Sequence, residues 1–308
     1  MSRNLVAIRH LEEKTITDLL GMAASYKEVI DSGERKVDVP THSLGLLFFE
    51  NSTRTRVSFE MAANYLGYDF VNFSGSGSSM SKGESLKDTL LTLRYERLEG
   101  LVMRHRSSGA PALAGQYFDG PIINAGDGQH EHPTQALGDA LTILERRGDI
   151  QGMKIAIVGD VQHSRVARSN AWIMHKLGAE VRFVGPRTLM PSNTSMMPGS
   201  VYYDLLSGIE GADVVMTLRL QKERMTDGLL SSIGEYARLY QINERALKAA
   251  AKDALVMHPG PLNRGVEIDD EVADGPRSCI TDQITNRIFV NMASLVWAFG
   301  DGGKPKLA

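Results

Sequence analysis

The sequence predicts an α/β fold of two doubly wound domains, each a mostly parallel sheet flanked by helices, joined by inter-domain helices. Three observations carry that expectation. Short apolar runs alternate with helix-spaced stretches over most of the 308 residues, which suits parallel strands covered on both faces. The stretch Arg146-Arg-Gly-Asp-Ile-Gln-Gly152 reads as a helix end and a turn, after which a new strand pattern begins. A last apolar segment over residues 284–299 is long enough for a helix that packs back across the other domain. The length accommodates two domains of ordinary size. We place the first at residues 1–133, completed by a C-terminal helix at about 284–308, and the second at 134–283.

In order along the chain, Leu44-Gly-Leu-Leu-Phe-Phe49 is an apolar run that predicts a buried strand. Phe59, Ala62, Ala63 and Leu66 recur at helical spacing, and Gly67 supplies the stop. Further strand patterns fall at residues 70–73, 101–103, 122–123, 155–158, 181–184, 214–216 and 255–257. Leu86, Leu90 and Leu93 mark one helix. Leu137, Ala140, Leu141 and Leu144 mark another, with Pro133 suited to its first position. Ser74-Gly-Ser-Gly-Ser-Ser79 reads as a mobile loop.

Composition narrows the function classes. Hydrophobic residues make up 42% and charged residues 23%, as in a soluble globular protein. No apolar run approaches the ~20 residues that cross a bilayer, and the N-terminal residues hold no signal-peptide core, so no membrane association is expected. A net charge of −3 argues against nucleic acid as a partner. The single cysteine, Cys279, excludes an internal disulfide framework and a thiolate metal cluster, and fits a reducing cytoplasm.

Ligands of open α/β sheets bind beyond the carboxyl ends of the strands, so chemistry is expected in the loops there. Ser52-Thr-Arg-Thr-Arg56 stands where the first strand hands over to its helix. Backbone N–H groups, the positive end of the helix dipole and two forked guanidinium groups suit a phosphate dianion. An N-cap alone needs one hydroxyl and explains neither arginine. Later loops carry Met80-Ser-Lys82-Gly-Glu84, Arg104-His105-Arg106, His132-Pro-Thr-Gln135 and Gly159-Asp-Val-Gln-His-Ser-Arg165. Thr217-Leu-Arg219-Leu-Gln221-Lys-Glu-Arg224 and His258-Pro-Gly-Pro261-Leu-Asn-Arg264 follow. A nearly neutral chain thus gathers cations at one edge of its sheets, which implies a ligand, or a pair of ligands, with several negative charges.

Ser52-Thr-Arg-Thr-Arg56, Met103-Arg-His105, His132-Pro-Thr-Gln135 and His258-Pro-Gly-Pro261 occur in an order and spacing that resemble the aspartate/ornithine transcarbamoylase superfamily over nearly the whole chain. Arg219-Leu-Gln-Lys-Glu-Arg224 resembles its aspartate branch in particular. The resemblance implies an enzyme that transfers the carbamoyl group of carbamoyl phosphate to the α-amine of L-aspartate, giving N-carbamoyl-L-aspartate and phosphate in pyrimidine synthesis. It implies no metal and no organic cofactor; the sequence offers neither a Cys/His ligand set nor a dinucleotide glycine fingerprint. It further implies a cytoplasmic homotrimer with active sites shared between chains, compatible with a larger assembly that includes regulatory or dihydroorotase chains.

Carried over position by position, the resemblance assigns Ser52, Thr53, Arg54 and Thr55 to the phosphate, with Arg54 offsetting charge on the leaving group. Arg104, His132 and Thr55 are assigned to donate to the carbamoyl oxygen, for which His132 has to be neutral. Gln135 and the backbone carbonyls of Gly260 and Pro261 are expected to accept from the carbamoyl NH2. Arg165, Arg219 and Gln221 are expected to grip the two carboxylates of aspartate; Arg168, one turn further on, is easily confused with Arg165. Ser78 and Lys82 lie on the Gly/Ser loop, which in the family reaches the adjacent subunit's site, so that Lys82 brings mobile positive charge. Asp127 and Asp160 are expected to orient arginines, Glu50 to pair with Arg104 or Arg54, and His130 to suit a core or capping place. The family often carries a cis peptide in the loop at 258–261. The departing phosphate takes the amine proton, so no protein base is required.

Three other readings compete. An ornithine-specific relative shares the phosphate half, but that branch typically carries a cysteine where this chain has Pro259. A non-catalytic anion-binding scaffold is disfavoured because Arg54, His132 and Lys82 are all present. A nucleotide- or NAD-dependent enzyme would need closely spaced glycines, which residues 159–165 lack.

Overall fold

A computed structural model describes residues 3–74, 83–193, 196–220, 229–230 and 232–301. The chain divides into one unit of Met1–Leu141 with Ile284–Ala308 and a second of Thr142–Gln283. The change from one to the other falls on a helix, between Leu141 and Thr142.

The first unit opens with α1 (Glu13–Asp31), β1 (Ser43–Phe48), α2 (Thr53–Leu66), β2 (Asp69–Ser74) and α3 (Leu86–Tyr95). It continues through β3 (Gly100–His105), α4 (Ala110–Ala114), β4 (Ile122–Asp127) and the start of α5 (Pro133–Arg147). The second unit holds β5 (Lys154–Val158), α6 (Arg165–Lys176), β6 (Glu180–Val184), β7 (Ser200–Tyr202) and α7 (Leu205–Ile209). After these come β8 (Val214–Thr217), α8 (Ile233–Tyr240), β9 (Leu255–Met257), α9 (Asp270–Ala273) and the start of α10 (Ile280–Phe299), whose remainder belongs to the first unit.

Both sheets are parallel throughout, as the alternation of runs predicts. The first has four strands in the order β2-β1-β3-β4, the second five in the order β7-β6-β5-β8-β9. Each order reverses direction once, between β1 and β3 and between β5 and β8. Right-handed crossovers then put helices on both faces and open a crevice beyond the strand ends at the reversal. The doubly wound fold class is therefore as the sequence predicts.

The central strands form because their residues are apolar on both faces, whereas the edge strands β2 and β7 are partly exposed. Leu44, Leu46 and Leu47 of β1 are buried, and Leu47 packs with Leu101, Met103 and Ile122 under Leu90, Leu93, Ala114 and Phe118. In the second unit Ala156, Val158, Val184, Val215 and Val256 pack with Leu205, Ile209, Tyr236 and Tyr240. Among the elements not named from the sequence, α1 buries Ile16, Leu19, Leu20, Ala23 and Tyr26 at helical spacing, whereas β7 is a three-residue edge strand with no fully buried side chain. α10 begins at Ile280, ahead of the expected residue 284. Among the described residues no helix is long and apolar enough to cross a membrane.

Candidate active site

In the first unit the carboxyl ends of β1, β3 and β4 are neighbours, and each leads into predicted site residues. Beyond β1, Ser52 is extended (φ −160°, ψ 97°) and α2 starts at Thr53, closing at Gly67 in the left-handed conformation (φ 69°). Ser52 makes no side-chain cap; its hydroxyl donates instead to Thr55 Oγ1 at 3.0 Å. The hydroxyl that a plain capping role would use is thus turned toward a second hydroxyl. The first turn of α2 carries Thr53, Arg54 and Thr55 with no acidic residue among them, the electrostatics that an anion prefers.

Arg104 is the penultimate residue of β3, in register with Phe48 of β1. Its Nη1 donates to the Ala125 carbonyl of β4 at 3.2 Å and its Nη2 to Glu50 Oε1 at 3.5 Å, so Arg104 is a partner of Glu50. His105 next to it is lowered by burial, with Nδ1 accepting from Ser107 N–H at 2.9 Å.

β4 ends in a short polar loop that delivers His132 to the N-terminus of α5, where Pro133 takes the first helical position. Both His132 and Gln135 are buried. The Gln135 amide donates from Nε2 to Asp139 Oδ1 at 2.7 Å. That bond, at i, i+4 spacing on the helix, turns Oε1 the other way as an acceptor. The loop before His132 is tied down from two sides. Glu131 accepts from Ile8 N–H at 2.7 Å, and Asp127 accepts from the backbone N–H of Gly109 and Glu131, from Asn124 Nδ2 and from the His130 ring.

Asp127 corrects an expectation: none of these partners is an arginine, and the residue braces a loop. The His130 ring lies beside it, 3.1 Å from Asp127 Oδ1. Burial pushes Asp127 up, but hydrogen bonds from His130, Gly109 and Asn124 outweigh it and hold the carboxyl below its usual range. The same hydrogen bond raises His130. The Asp127 contribution is therefore present above an unfolded pKa of about 3.9 and lost as pH falls through the lower folded value. The His130 contribution is complete below about 6.5 and lost as pH rises through the raised folded value. Asp127→Asn is expected to cost about 1.5–3 kcal/mol near pH 5.5 and less near pH 8.5, read from urea unfolding at both. A deficit equal at the two pH values would contradict the ionic pairing.

Sequence reasoning missed two groups in this unit. Asp139 is fully buried behind Gln135. Arg287 of α10 is only 3% exposed, its backbone lies against Gly138 of α5, and its Nε has no hydrogen-bond partner among the described residues. Burial lowers Arg287 to about 10; Asp139 counters this and the like charge of Arg54 adds to it. Partly exposed Arg54 therefore has a buried positive charge close by. Arg287 stands among Gln283, Thr285 and Asn286, so the sequence alone does not mark it as buried.

The second unit repeats the arrangement, because β5, β8 and β9 are also neighbours. After β5 the chain turns at Gly159 (φ +127°), where a Cβ would lie 2.9 Å from the Tyr236 hydroxyl and 3.2 Å from the Leu218 carbonyl. Only glycine fits that turn without strain. Ser164 caps α6 by accepting from Ala167 N–H at 3.1 Å, which places Arg165 at the first helical position, 4% exposed. Arg168 donates to the loop carbonyls of Gln162 at 3.0 Å and Ser164 at 3.4 Å, so it holds the turn that presents Arg165. Burial lowers Arg168, and the negative charge of Asp160 acts in the opposite direction. Asp160 also holds the His163 ring at 2.9 Å.

Arg219 follows β8 and is half-buried. Beyond β9, Gly260 is left-handed (φ +64°) and the Gly260–Pro261 peptide bond is cis. The Ser78, Lys82 and Gln221 assignments lie outside the described residues. Among the described residues no group of three or more His, Cys, Asp or Glu side chains could hold a metal ion.

Residues 3–145 match the family model described as aspartate/ornithine carbamoyltransferase, carbamoyl-P binding domain, and residues 151–298 match that of the Asp/Orn binding domain. The chain is 50% identical over 296 residues to the aspartate carbamoyltransferase catalytic subunit of Desulforamulus reducens, covering 95% of this chain and 94% of that protein. It is also 50% identical to the catalytic subunit of Acidiphilium cryptum, covering 96% and 95%. Among solved structures, aspartate transcarbamoylase from Trypanosoma cruzi in complex with N-(phosphonacetyl)-L-aspartic acid matches with a TM-score of 0.87 at 33% identity, over 96% of this chain and 95% of that one. Ornithine carbamoyltransferase from Pyrococcus furiosus matches with a TM-score of 0.88 at 28% identity, over 98% of both.

Proposed function

The chain belongs to the aspartate/ornithine carbamoyltransferase family, and from that premise we infer that it transfers the carbamoyl group of carbamoyl phosphate to the α-amine of L-aspartate. The products are N-carbamoyl-L-aspartate and phosphate, in pyrimidine synthesis. One observation carries the reading: each sheet places its site residues beyond the neighbouring strand ends at its reversal of strand order, with cations beyond β1, β3, β5 and β8. On this reading residues 1–133 with 284–308 form the carbamoyl-phosphate-binding domain and 134–283 the aspartate-binding domain.

Ser52, Thr53, Arg54 and Thr55 hold the phosphate at the N-terminus of α2. Arg104, His132 and the Thr55 hydroxyl donate to the carbonyl oxygen, where negative charge grows as the amine adds. Gln135 accepts from the carbamoyl NH2; its bond to Asp139 supports this, since it leaves Oε1 as the outward atom. The carbonyls of Gly260 and Pro261 accept from the same NH2. Arg165, Arg219 and Gln221 take the aspartate carboxylates with forked donors. The new C–N bond forms as the carbon–oxygen bond to phosphate breaks, and the departing phosphate carries away the amine proton. Arg54 offsets the charge left on it.

The working form on this reading is a cytoplasmic homotrimer in which Ser78 and Lys82 complete the site of the adjacent chain. Larger assemblies with regulatory or dihydroorotase chains are compatible with it.

Ornithine is the competing acceptor, because an ornithine enzyme shares the fold. Two arginines suited to anions disfavour its cationic side chain, and the 50% identity to an aspartate carbamoyltransferase catalytic subunit stands against 28% to an ornithine carbamoyltransferase. Purified protein with carbamoyl phosphate should form carbamoyl-aspartate from L-aspartate and no citrulline from L-ornithine. Ornithine turnover without aspartate turnover would end the assignment.

A further inference from the structure

His258 and Glu267 are each 1% exposed, and neither has a part in the chemistry above. A buried carboxylate is costly unless its oxygens are occupied, so its bonds show what it is kept for. The Gly260 N–H donates to His258 Nδ1 at 2.8 Å, so Nδ1 carries the lone pair and the ring proton sits on Nε2. That Nε2–H faces Glu267 Oε1 at 3.1 Å. The same oxygen accepts from the Asn263 backbone N–H at 2.6 Å, and Oε2 accepts from Asn263 Nδ2 at 3.2 Å. The His258 backbone N–H donates to Gln283 Oε1 at 2.9 Å, and Asn263 Nδ2 also reaches the Leu220 carbonyl, next to Arg219, at 3.3 Å. One imidazole and one carboxylate thus brace the loop at residues 258, 260 and 263. The Gly260 and Pro261 carbonyls lie inside the braced arc.

We propose that His258 and Glu267 are a positioning pair that fixes these two carbonyls as acceptors for a carboxamide, making the site select a carbamoyl group over an acyl group. The inference rests on the carbamoyl-transfer reading. A methyl group in place of NH2 has no proton to offer these carbonyls, so the brace matters for one kind of substrate and not the other.

The test compares carbamoyl phosphate as substrate with acetyl phosphate and inorganic phosphate as competitive inhibitors, in wild type and Glu267→Gln. Glutamine keeps one acceptor oxygen but points a donor at the Asn263 amide. Glu267→Gln is expected to raise KM for carbamoyl phosphate about tenfold, with both inhibition constants within about twofold of wild type. Unchanged KM, or all three constants weakening together, overturns the proposal. Should Glu267→Gln fail to fold, Asn263→Ala decides. It removes one contact to Glu267 and should give the same split at about threefold, and absence of that split overturns the proposal. Wild-type protein that makes no carbamoyl-aspartate would instead refute the carbamoyl-transfer reading itself.

Discussion

Arg54→Ala is expected to lower kcat by about 10²–10³-fold, the usual loss when one preorganised donor to developing charge is removed. Stability should not fall with it. Arg54 sits in the first turn of α2, outside the packed apolar positions Phe59, Ala62 and Leu66. Its charge also opposes that of buried Arg287, so the substitution relieves a like-charge repulsion. Steady-state kinetics with a thermal melt separates the two effects. Near-normal turnover would remove Arg54 from the leaving-group role, and a large drop in Tm would show that it is part of the fold.

Arg165→Ala and Arg168→Ala should differ in kind. Loss of a charge-assisted contact to a substrate carboxylate is worth about 1.5–3 kcal/mol, or roughly 10- to 150-fold in apparent aspartate affinity. We expect that loss for Arg165→Ala with the carbamoyl phosphate KM unchanged. Arg168 is bonded to the carbonyls of Gln162 and Ser164, so Arg168→Ala should loosen the turn and lower Tm, with a smaller rise in aspartate KM. Identical kinetic effects of the two substitutions would dismiss the division of labour between them. Saturation kinetics for each substrate in turn reads the difference.

Much of this is legible in the sequence. The strands at residues 44–49 and 155–158 announced themselves because both faces are buried, so the run has no polar interruption. Ser52-Thr-Arg-Thr-Arg56 was legible as a strand-to-helix junction because helix spacing begins directly after it and Gly67 ends it. Pro133 placed the start of α5 for the same local reason. Edge strand β7 was not legible: three residues with partly exposed side chains carry no periodicity. Asp127 was misread because nearness to cationic loops in sequence suggested an arginine partner, while the folded loop turns it toward His130, Asn124 and two backbone N–H groups.

Local order was written in the sequence: where strands and helices run, which loops follow strand ends, and which cations stand in them. Those features depend on spacing of a few residues, which the chain displays directly. Strand order, the neighbouring ends of β1, β3 and β4 and of β5, β8 and β9, and the buried supports Asp139, Arg287 and Glu267 were decided only by tertiary structure. Each depends on segments far apart in the chain meeting in a water-excluded interior, where an ionisable side chain persists only if opposite charge or hydrogen bonds offset the loss of water.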